Sequence, residues 1–203
     1  MDKNKHTFSQ LLTQIRACQL CRKNLPHEPR PIVQASTQSQ ILIIGQAPGR
    51  KVHESGMPWD DASGDRLREW LGVSKTAFYN PESFAIMPMG FCFPGSHNKT
   101  TGGSGDLPPM KICAPTWHDK LLAQMPEIKL TLIIGQYAMK HHLESNKANL
   151  TQTVKNYKDF LPQKFVLPHP SPRNNIWMAK NPWFESEVLP ALKKKISIAL
   201  QYQ

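Results

Sequence analysis

Four short apolar runs set the tightest limit on what this chain can fold into: QILIIG (40–45), SFAIMPM (83–89), LTLIIG (130–135) and KFVLPH (164–169). A strand with one wet face alternates apolar and polar residues. These runs are continuous, so each predicts a strand covered on both faces. Helical patterns lie between them. FSQLLTQIRAC is amphipathic, and SGDRLREWLG places Ser63 as an N-cap and Gly72 as a stop. APTWHDKLLAQM carries Pro115 near its start, and QYAMKHHLES follows the third run. NPWFESEVLPALKKKISIAL opens on Asn-Pro and ends basic, as helices prefer. Strands alternating with helices over short connections predict an α/β fold: a three-layer α/β/α sandwich with a central, mostly parallel four-stranded sheet, one domain over residues 1–203. The chain contains no internal repeat.

In such sheets ligands bind beyond the carboxyl ends of the strands. Three of the runs lead into unusual loops, GQAPGRKVHESGMPWDD, GFCFPGSHNKTTGGSGDLPP and HPSPRNN, which are predicted to meet at one rim. Gly45-Gln46-Ala47-Pro48-Gly49 reads as a sharp, stiffened turn. It lacks the glycine spacing of a dinucleotide fingerprint and the Gly-Lys-Ser/Thr ending of a P-loop, which excludes both. Beyond it, Trp59 beside Asp60 and Asp61 is either a stacking platform next to carboxylates or a core tryptophan with solvated acids. In the third loop, Pro168, Pro170 and Pro172 restrict the backbone around His169 and predict a rigid tip projecting Arg173 and Asn174. A histidine at a strand end is equally often a hydrogen-bonded structural residue. The Gly/Ser/Thr-rich stretch 95–108 reads as mobile. His142-Leu143-Glu144 lacks the downstream Pro-Cys-x-x-Cys of a zinc deaminase and reads as an ordinary helix face.

Charge bears on the partner. Lys plus Arg total 25 against 15 acids, a net charge of +10, which favours a polyanion such as nucleic acid. The start, MDKNKHTFSQLL, has no apolar core of signal-peptide length, and no later segment approaches a membrane span. A cytoplasmic monomer with no membrane contact is the expectation. Its four cysteines are then reduced or metal-bound rather than disulfide-paired. Cys18-x-x-Cys21 ends the first helical pattern, Cys92 follows the second run, and Cys113 lies 21 residues later. That set suits a four-cysteine site for iron–sulfur or zinc, with buried unliganded thiols as the plainer reading.

Together these motifs resemble the uracil-DNA glycosylase superfamily. GQAPG…SGMPWDDASGDRL is similar to the first motif of its bacterial iron–sulfur family, typically Gly-Glu-Ala-Pro-Gly…Gly-x-Pro-Phe-Val-Gly-x-Ala-Gly. HPSPRN resembles the second motif, in the form carried by single-strand-selective monofunctional uracil glycosylases. The cysteine order matches as well: CxxC, then FCFPG where the family has Lys-Cys-Arg-Pro-Pro, then ICAP. The resemblance runs from about residue 8 to residue 196. It implies that Gln46 and Ala47 lie in the turn that positions water and base, and that Trp59 replaces a phenylalanine stacking on the flipped base. It further implies that His169 stabilises the departing base and that Pro170, Ser171, Pro172, Arg173 and Asn174 form the DNA-binding loop. Cys18, Cys21, Cys92 and Cys113 are the implied ligands of a 4Fe-4S cluster, with zinc or no metal as the other outcomes.

The implied reaction hydrolyses the N-glycosidic bond of uracil, or another deaminated base, in DNA. It passes through an oxocarbenium-like sugar while negative charge grows on uracil O2. One fixed donor at that oxygen contributes roughly 3–4 kcal/mol, and base stacking roughly 1–3 kcal/mol. The chain departs from the family pattern at the turn. Gln46 stands where the iron–sulfur family has glutamate, and Ala47 where other members carry a catalytic Asp or Asn. His53 takes a usually acidic place, Asp60 and Asp61 are the alternative water activators, and Pro88 replaces an asparagine that reads the base edge. The motifs proper contain no lysine, Lys51 lying just beyond the first, so the expected glycosylase is monofunctional. The other readings are a non-catalytic relative binding damaged or single-stranded DNA, and a small-molecule enzyme acting on a nucleotide or sugar phosphate.

Overall fold

The computed structural model describes residues 7–97, 105–143 and 148–200. Its four strands are β1 (Ile41–Ile44), β2 (Phe84–Ile86), β3 (Leu130–Ile134) and β4 (Lys164–Leu167), in the order β2-β1-β3-β4. All pairings are parallel, with Ile43 opposite Ile86 and Leu132, and Leu132 opposite Phe165. Every β1 residue is buried, which is why its run carries no polar alternation.

The helices are α1 (Phe8–Arg16), α2 (Arg50–Ser55), α3 (Ala62–Leu71), α4 (Lys75–Phe78), α5 (Cys113–Leu122), α6 (Gly135–His142), α7 (Leu150–Lys155), α8 (Asn175–Lys180) and α9 (Leu189–Leu200). α9 packs across β1 and β3 and against α3, whereas α6 lies on β3 and β4 and α1 on α5. Right-handed crossovers put α3 and α9 on one face and α5 and α6 on the other. The fold is therefore the three-layer α/β/α sandwich. The chain leaves β1 toward β2 on one side and returns to β3 on the other, so the switch point lies at the carboxyl end of β1.

Three local readings change. α3 is capped by Asp61, whose carboxylate accepts from the Gly64 N–H at 2.8 Å, and Ser63 sits inside the first turn. A carboxylate suits a helix N-terminus better than a hydroxyl does, because it also meets the helix dipole. Within the first unusual loop lies the six-residue α2, begun at Gly49 and ended by left-handed Gly56. With Val52 as its one buried residue it shows no apolar period to detect. The C-terminal helical pattern splits into a π-helical turn, Phe184–Val188, followed by α9. Pro190, in the first turn of α9, has no N–H for the ladder. Positions 98–104 of the stretch read as mobile, and Glu144 of the His-Leu-Glu triplet, lie outside the described residues.

Candidate functional site

The three loops do meet at one rim. Gly45, Gln46, Trp59, Pro88, His169 and Arg173 are among the residues lining a cavity of about 460 Å³. It opens at the carboxyl ends of β1, β2 and β4, where the strand order reverses.

Trp59 is the most constrained residue in it. Its φ of 57° makes it the one non-glycine residue with positive φ among those described. A bulky side chain adopts that conformation at a cost of roughly 1–3 kcal/mol unless its surroundings enforce it. Here the enforcement is visible. A β-carbon at Gly64 would collide with the Trp59 carbonyl oxygen, and one at Gly45 would come within 2.9 Å of the indole ring. Buried Arg68 donates to the Trp59 carbonyl at 3.2 Å, and the Tyr79 hydroxyl donates to the Pro58 carbonyl at 2.9 Å. Asp65 pairs with Arg68 at 2.5 Å from the other side. The indole is thereby held beside His169, with ring centroids 5.5 Å apart and a 35° tilt.

His169 is partly buried between buried Pro168 and Pro170. Burial lowers its pKa below the ordinary histidine value, partly opposed by the carboxylates of Asp61 and Asp106. The imidazole is neutral at neutral pH and offers one N–H. Asn174 turns inward rather than projecting, because its amide donates to the His169 carbonyl at 2.6 Å. Arg66 of α3 also grips this loop, donating to the Ser171 carbonyl at 3.2 Å and to Asn175 Oδ1 at 2.8 Å. Ser171 accepts from the Arg173 N–H at 3.2 Å and starts a 3-10 turn over Pro172–Asn174. Arg173 is exposed at the tip, as is Pro172, and its guanidinium lies over Gly105. Ile176, 71% exposed in the first turn of α8, adds an apolar tip beside it.

The proposed water activators separate. Asp61 lines the cavity, although one of its oxygens is engaged in capping α3. Asp60 is outside the cavity lining and lies 3.7 Å from the Lys75 ammonium. His53 is also outside, stacked against His27 at 5.4 Å, with Phe93 at 5.9 Å. Burial, then His27 and Arg30, lowers its pKa. Neither Asp60 nor His53 is therefore placed to act on a water in this cavity. The structure brings in Asp106 instead, from the far end of the second loop. Its Oδ1 accepts from Ser96 at 2.8 Å, and its Oδ2 faces Gly49, 3.3 Å from where a β-carbon would stand there. Gln46 donates its amide to the Leu107 carbonyl at 3.1 Å, which fastens that segment to the turn after β1. Nothing in its own sequence context marks Asp106, since a lone acid in a Gly/Ser loop has no motif.

Pro88 forms a buried wall and offers the cavity no polar group. It has no N–H, and its carbonyl is engaged 3.0 Å from His118 Nε2. The next two N–H groups, of Met89 and Gly90, donate to the carbonyls of Gly45 and Gln46.

Around a second, small apolar cavity stand Cys18, Cys21, Cys92 and Cys113, none of them in a disulfide. Burial, assisted by the neighbouring thiols, pushes Cys113 up to about 12. Burial likewise pushes Cys92 up to about 11. The Phe91 N–H donates to Cys113 Sγ at 3.3 Å, and the Arg30 N–H to Cys92. Four converging sulfurs with backbone N–H donors fit a thiolate-bound metal group.

The sequence profile of the Uracil DNA glycosylase superfamily matches residues 32–193, most of the chain. The chain belongs to that superfamily. Among solved structures it is similar to a solution NMR structure from Methanosarcina acetivorans named a "putative Uracil DNA glycosylase". The two are 15% identical with a TM-score of 0.46, and the match covers 82% of this chain and 98% of that one. The superfamily match takes in both cavity motifs, Cys92 and Cys113, while Cys18 and Cys21 lie before it. None of the helices among the described residues is long and apolar enough to cross a membrane.

Proposed function

We propose that this protein is a monofunctional DNA glycosylase that hydrolyses the N-glycosidic bond of uracil, or another deaminated base, to leave an abasic site. The observation that carries the reading is the enforced pairing of Trp59 with neutral His169 at the strand-order reversal. An extruded base stacks on Trp59, which offsets part of the cost of unstacking it. As the C1′–N bond breaks, its electron pair moves onto the base, and the His169 N–H stabilises the growing oxyanion without giving up its proton. Water adds to the sugar cation at C1′, and Asp106 orients that water and takes its proton. Arg173 and Ile176 fill the gap in the duplex.

A monofunctional reaction is supported by the absence of lysine from the cavity lining among the described residues, Lys51 being exposed on α2. Pro88 favours the second reading of the substrate, a deaminated base other than uracil, because it has neither an N–H nor a side-chain amide with which to read the uracil edge, and its carbonyl already accepts from His118. Cys18, Cys21, Cys92 and Cys113 are proposed to hold an iron–sulfur cluster, which would tie the end of α1 to the segment after β2 and to the start of α5. Its contribution is structural, and no step of base release passes through it.

The test is a panel of oligonucleotides carrying uracil, hypoxanthine or xanthine, scored for alkali-labile abasic sites. The expected result is cleavage of at least one, with Asp106→Asn slower by about 100-fold or more. No abasic sites on any base refutes the enzymatic reading, and an undiminished Asp106→Asn refutes the role of that carboxylate.

A further inference from the structure

Behind the Pro88 wall, α5 and α6 bring together His118, His141 and His142, with one ligand nitrogen from each within 4.8 Å of the other two. Their rings are close. His118 and His142 stack at 5.5 Å, and His141 and His142 meet edge-on at 4.8 Å. No step of base excision uses them.

The hydrogen bonding is what points to a ligand. A carbonyl can only accept, so His118 Nε2, 3.0 Å from the Pro88 oxygen, must carry the proton. The lone pair of a neutral ring then sits on His118 Nδ1, which is buried with no hydrogen-bond partner among the described residues. His142 Nε2 is a second buried nitrogen with no partner among the described residues. Buried polar atoms are nearly always satisfied, and two orphaned imidazole nitrogens in one cluster call for a common partner. A backbone carbonyl on the far nitrogen is the usual support of a metal-bound histidine.

We propose that His118, His141 and His142 bind one divalent transition-metal cation, zinc, that pins α5 to α6 behind the cavity wall. Three imidazoles with a fourth position for water are a zinc-type ligand set. Hard cations need anionic oxygens, which the trio does not supply. Zinc–nitrogen bonds of about 2.0–2.1 Å put ligand nitrogens roughly 3.3 Å apart. Binding would draw these nitrogens, now up to 4.8 Å apart, together through His141 and His142 at the end of α6. His141 is more open to solvent than His118 and gives the ion its way in.

The test counts zinc on full-length protein as purified, with whatever metal its cysteines hold. Wild type dialysed against zinc chloride should gain one equivalent beyond the cysteine-bound metal, and its Tm should rise. His141→Ala and His142→Gln, checked for folding by circular dichroism in zinc-free buffer, should weaken that binding by about 100-fold or more. Cobalt on wild-type protein should give d–d absorption without a thiolate charge-transfer band, a result that needs no variant to fold. Three histidines packed without a metal predict no extra equivalent. That outcome, variants that bind as tightly as wild type, or a thiolate band from the added cobalt would each overturn the proposal.

Discussion

Trp59 and His169 show how one residue's position depends on others that touch no substrate. The indole stays over the cavity because Gly45 and Gly64 leave it room and Arg68 holds its carbonyl. His169 stays neutral because burial outweighs the carboxylates of Asp61 and Asp106. That neutrality has a measurable consequence. Below about pH 6.5 the unfolded chain takes up a proton at this position, while the folded chain, its pKa lowered, does not. Stability contributed by neutral His169 is therefore lost as pH falls through 6.5 toward the folded value. Unfolding in urea at pH 7 and pH 5 should show wild type losing more stability than His169→Gln. An equal loss would mean that the imidazole is not kept neutral by its surroundings.

Among the elements, α3 does more for the cavity than its sequence suggests. Asp61 caps it, Arg66 holds the loop after β4, Arg68 holds Trp59, and Gly64 lets the chain pass against it. Gly→Ala inside a helix ordinarily stabilises by about 1 kcal/mol. At Gly64 the sign should reverse, with a cost of roughly 1–3 kcal/mol from overpacking against Trp59. Chemical denaturation of Gly64→Ala measures this, and a gain in stability would show that the close approach is not enforced. The same helix marks the limit of what the sequence discloses. The strands were legible because burial on both faces leaves an unbroken apolar run, and the two motifs because glycine and proline fix the backbone locally. Asp106 was not, because its charge reaches His169, and its carboxylate faces Gly49, only across the fold. The placing of Asp60 and His53 outside the cavity was hidden too, since sequence neighbours of Trp59 and Gly49 need not share their direction.

Over the whole molecule, a parallel sheet with its order reversed beside β1 gathers three loops onto one edge, and the chain as a whole carries a net charge of +10, which favours a polyanion. Binding to DNA should weaken steeply with salt, each neutralised phosphate adding about −0.9 to the slope of log affinity against log salt. A flat salt response would favour a small-molecule substrate. In the proposed reaction this cavity breaks the glycosidic bond while His169 stabilises the departing base. Single-turnover release of free base by wild type and His169→Ala, on the base the protein prefers and with DNA affinity measured in parallel, tests it most directly. His169→Ala should keep its affinity for DNA while base release slows by roughly 100- to 1,000-fold, the effect of one lost oxyanion donor. Release at the wild-type rate by His169→Ala would contradict it.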